Sequence, residues 1–374
     1  MKLKPNRFSH NCPHLFTLNY IRQMQLVRGF SDIFKQHQYD TIACDIYGVI
    51  HDGIEAYPYS KDALTQLRKN DEHVILLSNS TRLQDKLDTA MTSKFGIDSS
   101  CYDEILSSGV LTKFFLKDLA EYLETGQVVS PACHATAQQH GTSTQMMPDT
   151  FAAKYLKTGK FFLAGDPDWQ EPLYMPVSPP LTRVHDWEAI EFVLLGSIRG
   201  VFPDEKPVDP FSEQDVRADY QPLLDTCLKR NIPMICANPD VFAPNGVNED
   251  GSAKLLICPG YVGQMYEEMG GEVLYFGKPF KSIYDFLQTN KAKSSIKPNE
   301  TEATSRIVCV GDNVATDVRG ATEAGLDVVM ILGGVHWEDL KDAKDDEELK
   351  NRVRNLCKTH GSQEPTYLMP VLRF

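Results

Sequence analysis

The chain has 374 residues, 42% hydrophobic and 24% charged, and its 38 basic and 51 acidic side chains give a net charge of −13. That length supports two or three domains. The acidic balance argues against general affinity for nucleic acid or an anionic membrane, because like charges repel, yet a metal ion or helix N-terminus can still reverse the field inside one pocket.

Residues 1–38 contain no continuous apolar core of the kind a secretory signal carries, and read as an irregular or helical extension. No apolar run approaches the roughly 18 residues of a membrane helix, so the expected location is the cytoplasm. Apolar, β-branched runs then recur at 41–46, 73–78, 161–164, 192–198, 233–237, 273–276, 306–310 and 327–332. Amphipathic segments such as 60–69, 220–230 and 261–270 lie between several of them. Strands separated by helices imply parallel sheets with right-handed crossovers, hence an α/β fold. Continuous apolar runs are what central parallel strands require.

Stretches 139–150 and 201–215 are polar and turn-rich, and 290–304 forms a polar connector. The first two fall inside a region, about 110–255, that has strand and helix signals of its own. A domain inserted into a discontinuous parent is the simplest arrangement. Glu and Lys at helical spacing in 338–356 predict a solvated C-terminal helix or an interaction surface. Nine cysteines are scattered with no Cys-x-x-Cys, and four of them, Cys44, Cys236, Cys258 and Cys309, lie in apolar runs. They read as small buried hydrophobes in a reducing compartment, with zinc or disulfides as the alternatives.

Four strand ends carry chemistry. "CDIYGVIHDG" (44–53) stops an apolar run on Asp45, and "SNS" (78–80) places Ser78 and Asn79 after another. "FGKP" (276–279) supplies Lys278, and "GDNVATD" (311–317) supplies Asp312 and Asp317. Ligands of open α/β sheets collect beyond the carboxyl ends of the strands. Taken singly, each residue reads as a helix cap, a turn or an exposed lysine. Taken together they provide carboxylates for a hard cation, a hydroxyl and backbone N–H groups for a phosphate, and a lysine to offset charge. Oxygen ligands suit Mg²⁺. A nucleotide-binding Rossmann unit is the competing reading, but no Gly-x-Gly-x-x-Gly follows the first strand and no P-loop pattern occurs.

These segments, in this order, resemble the haloacid dehalogenase superfamily of phosphohydrolases over about residues 39–335. The resemblance is to class IIA, the nitrophenyl- and pyridoxal-phosphatase-like group with a large C2-type cap between its second and third motifs. "ICANPD" (235–240) and "PGYVGQMYEEMGGEVLYFGKP" (259–279) are similar to that class as well. The resemblance implies a Rossmann-like core of parallel sheet flanked by helices, formed by 39–109 and 256–335, and an inserted α/β cap at 110–255. Residues 1–38 and 336–374 are then extensions. It also implies a Mg²⁺-dependent phosphatase acting on a small phosphorylated metabolite. Asp45 would be the nucleophile. Asp45, the backbone carbonyl of Tyr47 and Asp312 would hold the metal, and Asp317 would be an additional ligand or orient one. Ser78 and the Asn79 backbone would bind the phosphoryl oxygens, and Lys278 would balance charge. Asn238 and Asp240 would either meet the substrate or fix a turn, with Phe242 and Asn245 offering an apolar face and an amide. Arg183 and Arg199 read as surface charges or as partners for an anionic substrate.

One position departs from the family pattern. Its first motif is Asp-x-Asp, and the second Asp moves a proton to the leaving oxygen and from the attacking water. Here that place holds Tyr47, whose ordinary pKa of about 10 suits the task poorly. The sequence resembles a subgroup with an aromatic residue there. Three readings follow: His51, with Asp52 beside it, replaces the shuttle; the leaving group is good enough to need none; or the protein binds Mg²⁺ and a phosphorylated ligand without useful turnover, as a sensor or interaction module. His51 also reads as a turn or packing residue.

Overall fold

The computed structural model describes residues 24–199, 201, 207–247, 253–294 and 306–374. Parts of the stretches 201–215 and 290–304, and residues 1–23 of the N-terminal extension, lie outside the described residues.

Two seven-stranded sheets organise the chain. In spatial order the first contains Gln25–Leu26, Tyr367–Met369, Asp327–Ile331, Ile307–Gly311, Thr41–Asp45, His73–Ser78 and Glu104–Ser107. Every neighbouring pair in it is parallel. Side chains alternate between its faces. Ile42, Cys44, Val74 and Leu76 pack with Leu64 and Leu67 on one side. Ala43, Ile75 and Leu77 join Phe115, Ile283 and Tyr284 on the other. The Ser60–Lys69 helix fits its layer because Ala63, Leu64 and Leu67 form one buried stripe, while Asp62 in its first turn and Arg68 and Lys69 in its last complement the helix dipole.

The second sheet runs Thr142–Met146, Ala135–Gln139, Val273–Tyr275, Met234–Cys236, Phe192–Leu195, Lys160–Ala164 and Thr182–Arg183. It is parallel from Val273–Tyr275 onward and antiparallel on the Ala135–Gln139 side. The Ser108–Thr125 helix leads into this second lobe. Ser107 caps it by accepting from the Val110 N–H, and it ends at Gly126 in the left-handed region. Its Phe115 ring lies 5.3 Å from Phe276 and 5.9 Å from Phe151, centroid to centroid. One apolar cluster therefore passes from the first sheet into the second lobe without a break.

The α/β class and parallel sheet agree with the expectation, and several details differ. Val273–Tyr275, placed above with the parent segment 256–335, hydrogen-bonds inside the second sheet. Its apolar run suits either sheet, and packing partners distant in sequence decide between them. Gln25–Leu26 and Tyr367–Met369 pair with each other at the edge of the first sheet, so both chain extensions contribute strands. Stretch 139–150 is mostly regular: Ala135–Gln139 and Thr142–Met146 form a hairpin, followed by the Pro148–Tyr155 helix. Thr142–Gln145 is exposed, which explains why no apolar pattern marks it. The expected helix at 338–356 is two helices, Trp337–Leu340 and Asp346–Thr359. The eight described cysteines are all buried free thiols.

Candidate active site

Register brings the acids together. Val310 pairs with Cys44, so the Asp45 and Asp312 ends of two adjacent parallel strands lie side by side. The Val314–Val318 turn then returns Asp317 to the same place, where its Oδ2 accepts from the Asn313 N–H at 3.1 Å. Carboxylate oxygens of Asp45, Asp312 and Asp317 lie within 4.8 Å of one another. Lys278 Nζ stands between two of them, 2.5 Å from Asp45 Oδ1 and 2.7 Å from Asp317 Oδ1. Asp312 Oδ2 accepts from the Val335 N–H at 2.7 Å. Lys278, Asp312 and Asp317 are all at most 4% exposed.

Three carboxylates thus face one ammonium, leaving two negative charges uncompensated in a buried place. The protons respond accordingly. Burial and then the nearby Asp317 charge push the Asp45 carboxyl well above the ordinary range. The same two causes push Asp312 up to about 7. Burial works against the Lys278 ammonium, but Asp317 and Asp45 outweigh it and hold the group charged. A hard divalent cation suits this all-oxygen donor set and would supply the charge it lacks.

The Ser78–Asn79 segment borders the cluster. Ser78 Oγ accepts from the Ser80 N–H at 3.1 Å. The Asn79 side chain does something the sequence gives no sign of. Its Oδ1 accepts from the Lys278 N–H and its Nδ2 donates to the Lys278 carbonyl, both at 2.8 Å, so it fixes the backbone that carries the lysine. The same Nδ2 donates to Asp240 Oδ1 at 2.8 Å. Gly277 makes this approach feasible: its φ is +92°, and a Cβ there would fall 2.5 Å from Asn79 Oδ1. Asn238 Oδ1 accepts from the Asp240 N–H at 2.9 Å, a turn that presents Asp240 to Asn79.

Tyr47 is 36% exposed, and burial followed by the charges of Asp52 and Asp312 raises its phenol further. The ring meets His51 edge-on at 5.8 Å. His51 is 8% exposed and stacks on Phe95 at 3.8 Å, and its Nδ1 accepts from the Gly53 N–H at 3.0 Å. Burial pushes it down to about 4. These contacts give His51 a packing role in the turn and leave it poorly suited to the shuttle expected of it. Asp52 Oδ1 accepts from the N–H groups of Ile54 and Glu55, each at 2.8 Å.

Other candidates sit apart from the carboxylates. Arg199 lies 3.8 Å from Asp166 and is 59% exposed, and Arg183 occupies the edge strand of the second sheet. Phe242 packs on Tyr261 and lines a cavity of about 790 Å³ between the lobes, bounded also by Asp240, Pro279 and Asn313. Asn245 is exposed in the Phe242–Val247 strand. Two contributors escaped the sequence reading. Ser108 Oγ sits 2.7 Å from the Ala237 carbonyl and 2.8 Å from that of Asn79. Gln170 reaches Thr81 from the second lobe. A serine at a helix start and a glutamine inside a helix carry no signal that distinguishes them from ordinary ones.

Residues 42–143 match a family model described as haloacid dehalogenase-like hydrolase, and residues 275–356 match one described as HAD-hydrolase-like. A mitochondrial hydrolase of Saccharomyces cerevisiae is 25% identical over 339 residues, 81% of this chain and 90% of the yeast protein. A haloacid dehalogenase-like hydrolase from Brucella suis 1330 superposes with a TM-score of 0.62 at 26% identity, covering 93% of this chain and 100% of that one. A protein from Cytophaga hutchinsonii, described as a possible sugar phosphatase of the same superfamily, gives a TM-score of 0.60 at 20% identity, covering 93% and 98%, which speaks to the fold alone.

Proposed function

We propose that this chain, which belongs to the haloacid dehalogenase superfamily of hydrolases, is a Mg²⁺-dependent phosphohydrolase that acts on a small organic phosphate through Asp45. The observation that carries this reading is Lys278 bridging Asp45 and Asp317 with Asp312 beside them. Asp45 attacks phosphorus, the ester P–O bond breaks, and the leaving alkoxide takes up a proton from solvent as it departs as the alcohol. Water then attacks the aspartyl phosphate and gives up a proton to solvent, releasing inorganic phosphate and restoring the carboxylate. A bound Mg²⁺ would supply charge to the transferring group, held by Asp45, the Tyr47 carbonyl, Asp312 and Asp317. Lys278 orients Asp45 and offsets its charge. Ser78 and the Asn79 backbone receive phosphoryl oxygens. The second lobe, with Asn238 and Asp240 at its margin, forms the wall facing the substrate.

With Tyr47 in the usual place of a carboxylic acid and His51 engaged in packing, proton transfer is the weak step. Losing a positioned acid–base group typically costs on the order of 10²–10⁴ in rate. The test is phosphate release from a panel of phosphorylated metabolites with Mg²⁺. Wild type should turn over slowly and Asp45→Asn not at all, while Tyr47→Asp should raise the rate on alkyl phosphates. Equal release by wild type and Asp45→Asn would exclude the mechanism. Mg²⁺-dependent ligand binding without any release would favour the non-catalytic reading that Tyr47 also suits.

No helix among the described residues is long and apolar enough to cross a membrane. The first acidic residue of the chain is Asp32, preceded by Lys2, Lys4, Arg7, Arg22 and Arg28. That acid-free composition and the yeast relative's mitochondrial description support delivery into an organelle rather than the cytoplasm. Residues 1–31 fused to a fluorescent protein should redirect it to mitochondria, and a diffuse signal would restore the cytoplasmic reading.

A further inference from the structure

The segment proposed to receive the phosphoryl group, Ser78 to Arg82, is held from both lobes. Asn79 donates to Asp240 of the second lobe at 2.8 Å. Ser108 Oγ lies against the Asn79, Ser80 and Ala237 carbonyls at 2.8, 3.0 and 2.7 Å, joining this loop to the end of a second-lobe strand. The Arg82 guanidinium rests over the Trp169 ring, 4.8 Å from its centroid. Between these contacts Gln170, from the Pro167–Tyr174 helix, donates through Nε2 towards Thr81 Oγ1 at 3.3 Å.

Gln170 is fully buried. A buried amide is costly unless its polar atoms are bonded, and a leucine of similar size would carry no such cost. Here every part of the amide is engaged. Nε2 is shared between Thr81 Oγ1 and the Gly196 carbonyl, each at 3.3 Å, and Oε1 accepts from Ser197 Oγ at 3.2 Å. The second lobe also keeps space for it: a Cβ at Gly196 would fall 2.2 Å from Gln170 Cγ. Two of the three bonds anchor the amide in its own lobe, and the third points across to Thr81. Thr81 is 8% exposed and lies three residues beyond Ser78, so displacing it moves the turn that presents Ser78 and Asn79.

We propose that Gln170 is a positioning residue of the phosphoryl site: through Thr81 it sets the loop conformation in which Ser78 and the Asn79 backbone face the phosphoryl group. The second lobe is then a working wall of the anion site rather than a cover over it. This inference rests on the phosphohydrolase reading, and it concerns anion affinity, since none of the carboxylates assigned to the cation lies in the Ser78–Arg82 segment.

Calorimetric titration of inorganic phosphate in the presence of Mg²⁺, and of Mg²⁺ alone, tests it with wild type, Gln170→Leu, Thr81→Val and the double variant. Thr81→Val removes only the bond between the lobes, and Gln170→Leu removes that bond together with the two inside its own lobe. Loss of the shared neutral bond should weaken phosphate binding about 3- to 10-fold in each. Mg²⁺ affinity should stay at the wild-type value. The double variant should bind phosphate no more weakly than the weaker single variant, because both remove the same contact. Unchanged phosphate affinity in the singles, additive losses, or a parallel fall in Mg²⁺ affinity would overturn the proposal. Should Gln170→Leu fail to fold, Thr81→Val decides alone, since it leaves Gln170 bonded to Gly196 and Ser197. A wild type that binds no phosphate with Mg²⁺ would remove both this inference and the reading beneath it. Normal wild-type binding that ignores both substitutions would remove only this one.

Discussion

The two sheets share a parallel centre but end differently. Strands of the first sheet finish on Asp45, on Ser78 and on Gly311 just before Asp312. Strands of the second finish on Ala164 before Gly165, Leu195 before Gly196, Cys236 before Ala237, and Tyr275 two residues before Gly277. The first set of ends is polar, and it brings the Asp45 and Asp312 carboxylates together. The second set turns on small residues that let another surface approach: Gln170 fits beside Gly196, and Asn79 beside Gly277. The first sheet thus supplies the acids, while the second supplies fit and, just past Gly277, the Lys278 ammonium that faces them.

The largest expected effect lies at the charges that the two sheets bring together. Lys278→Met leaves Asp45 and Asp317 buried without their common cation. Removing one partner of a buried ion pair typically costs about 3–5 kcal/mol. Turnover should fall on the order of 10²–10³-fold, as when one charge-stabilising donor is lost. Thermal unfolding in EDTA should show the stability loss, and added Mg²⁺ should recover part of it by binding the folded state. An unchanged melting temperature would mean that the charges are not coupled as described.

Gly277→Ala probes the fit. The new methyl would meet Asn79 Oδ1 at 2.5 Å and Ser108 Cβ at 2.9 Å, at a backbone φ of +92°. Overpacking and left-handed strain together should cost about 1–3 kcal/mol. Because Asn79 fixes the Lys278 backbone, phosphate release should drop as well. A variant with wild-type activity and stability would show that the lobes tolerate slack at this contact.

The smallest effect belongs to the opposite end of the first sheet, where charge has no such role. Glu72, just before the His73–Ser78 strand, is 8% exposed, and burial pushes its carboxyl up to about 7, with the Asn70 hydrogen bond opposing. A carboxyl raised in the folded state costs nothing below its unfolded value near 4.5, where both states are protonated. The penalty grows between there and 7 and is complete above it. Glu72→Gln should therefore stabilise the protein at pH 8 by on the order of 1 kcal/mol and have little effect at pH 4. Equal shifts in denaturant midpoint at both pH values would contradict this.

The same contrast explains what could be read from the sequence. Asp45, Ser78, Lys278, Asp312 and Asp317 were legible because each interrupts or follows an apolar run, and a polar group at a strand end has a defined place in an α/β sheet. The strand runs themselves were legible for the same reason. Gln170, Ser108 and the Asn79 side-chain clamp were not, because neutral hydrogen bonds across lobes leave no local pattern. Glu104–Ser107 is four residues long, and Gln25–Leu26 meets Tyr367 across nearly the whole chain, so neither strand announces itself. Tyr47 was visible as an anomaly, but whether His51 could stand in for the missing acid depended on Phe95, which no spacing connects to it.

Crystals soaked in Mn²⁺ and measured at its absorption edge give the most direct test, since Mn²⁺ shares the oxygen preference of Mg²⁺. One strong anomalous peak is expected within coordination distance of Asp45 and Asp312, beside Lys278, and it should be lost in Asp312→Asn. A peak elsewhere in the molecule, or one that persists in Asp312→Asn, would contradict this.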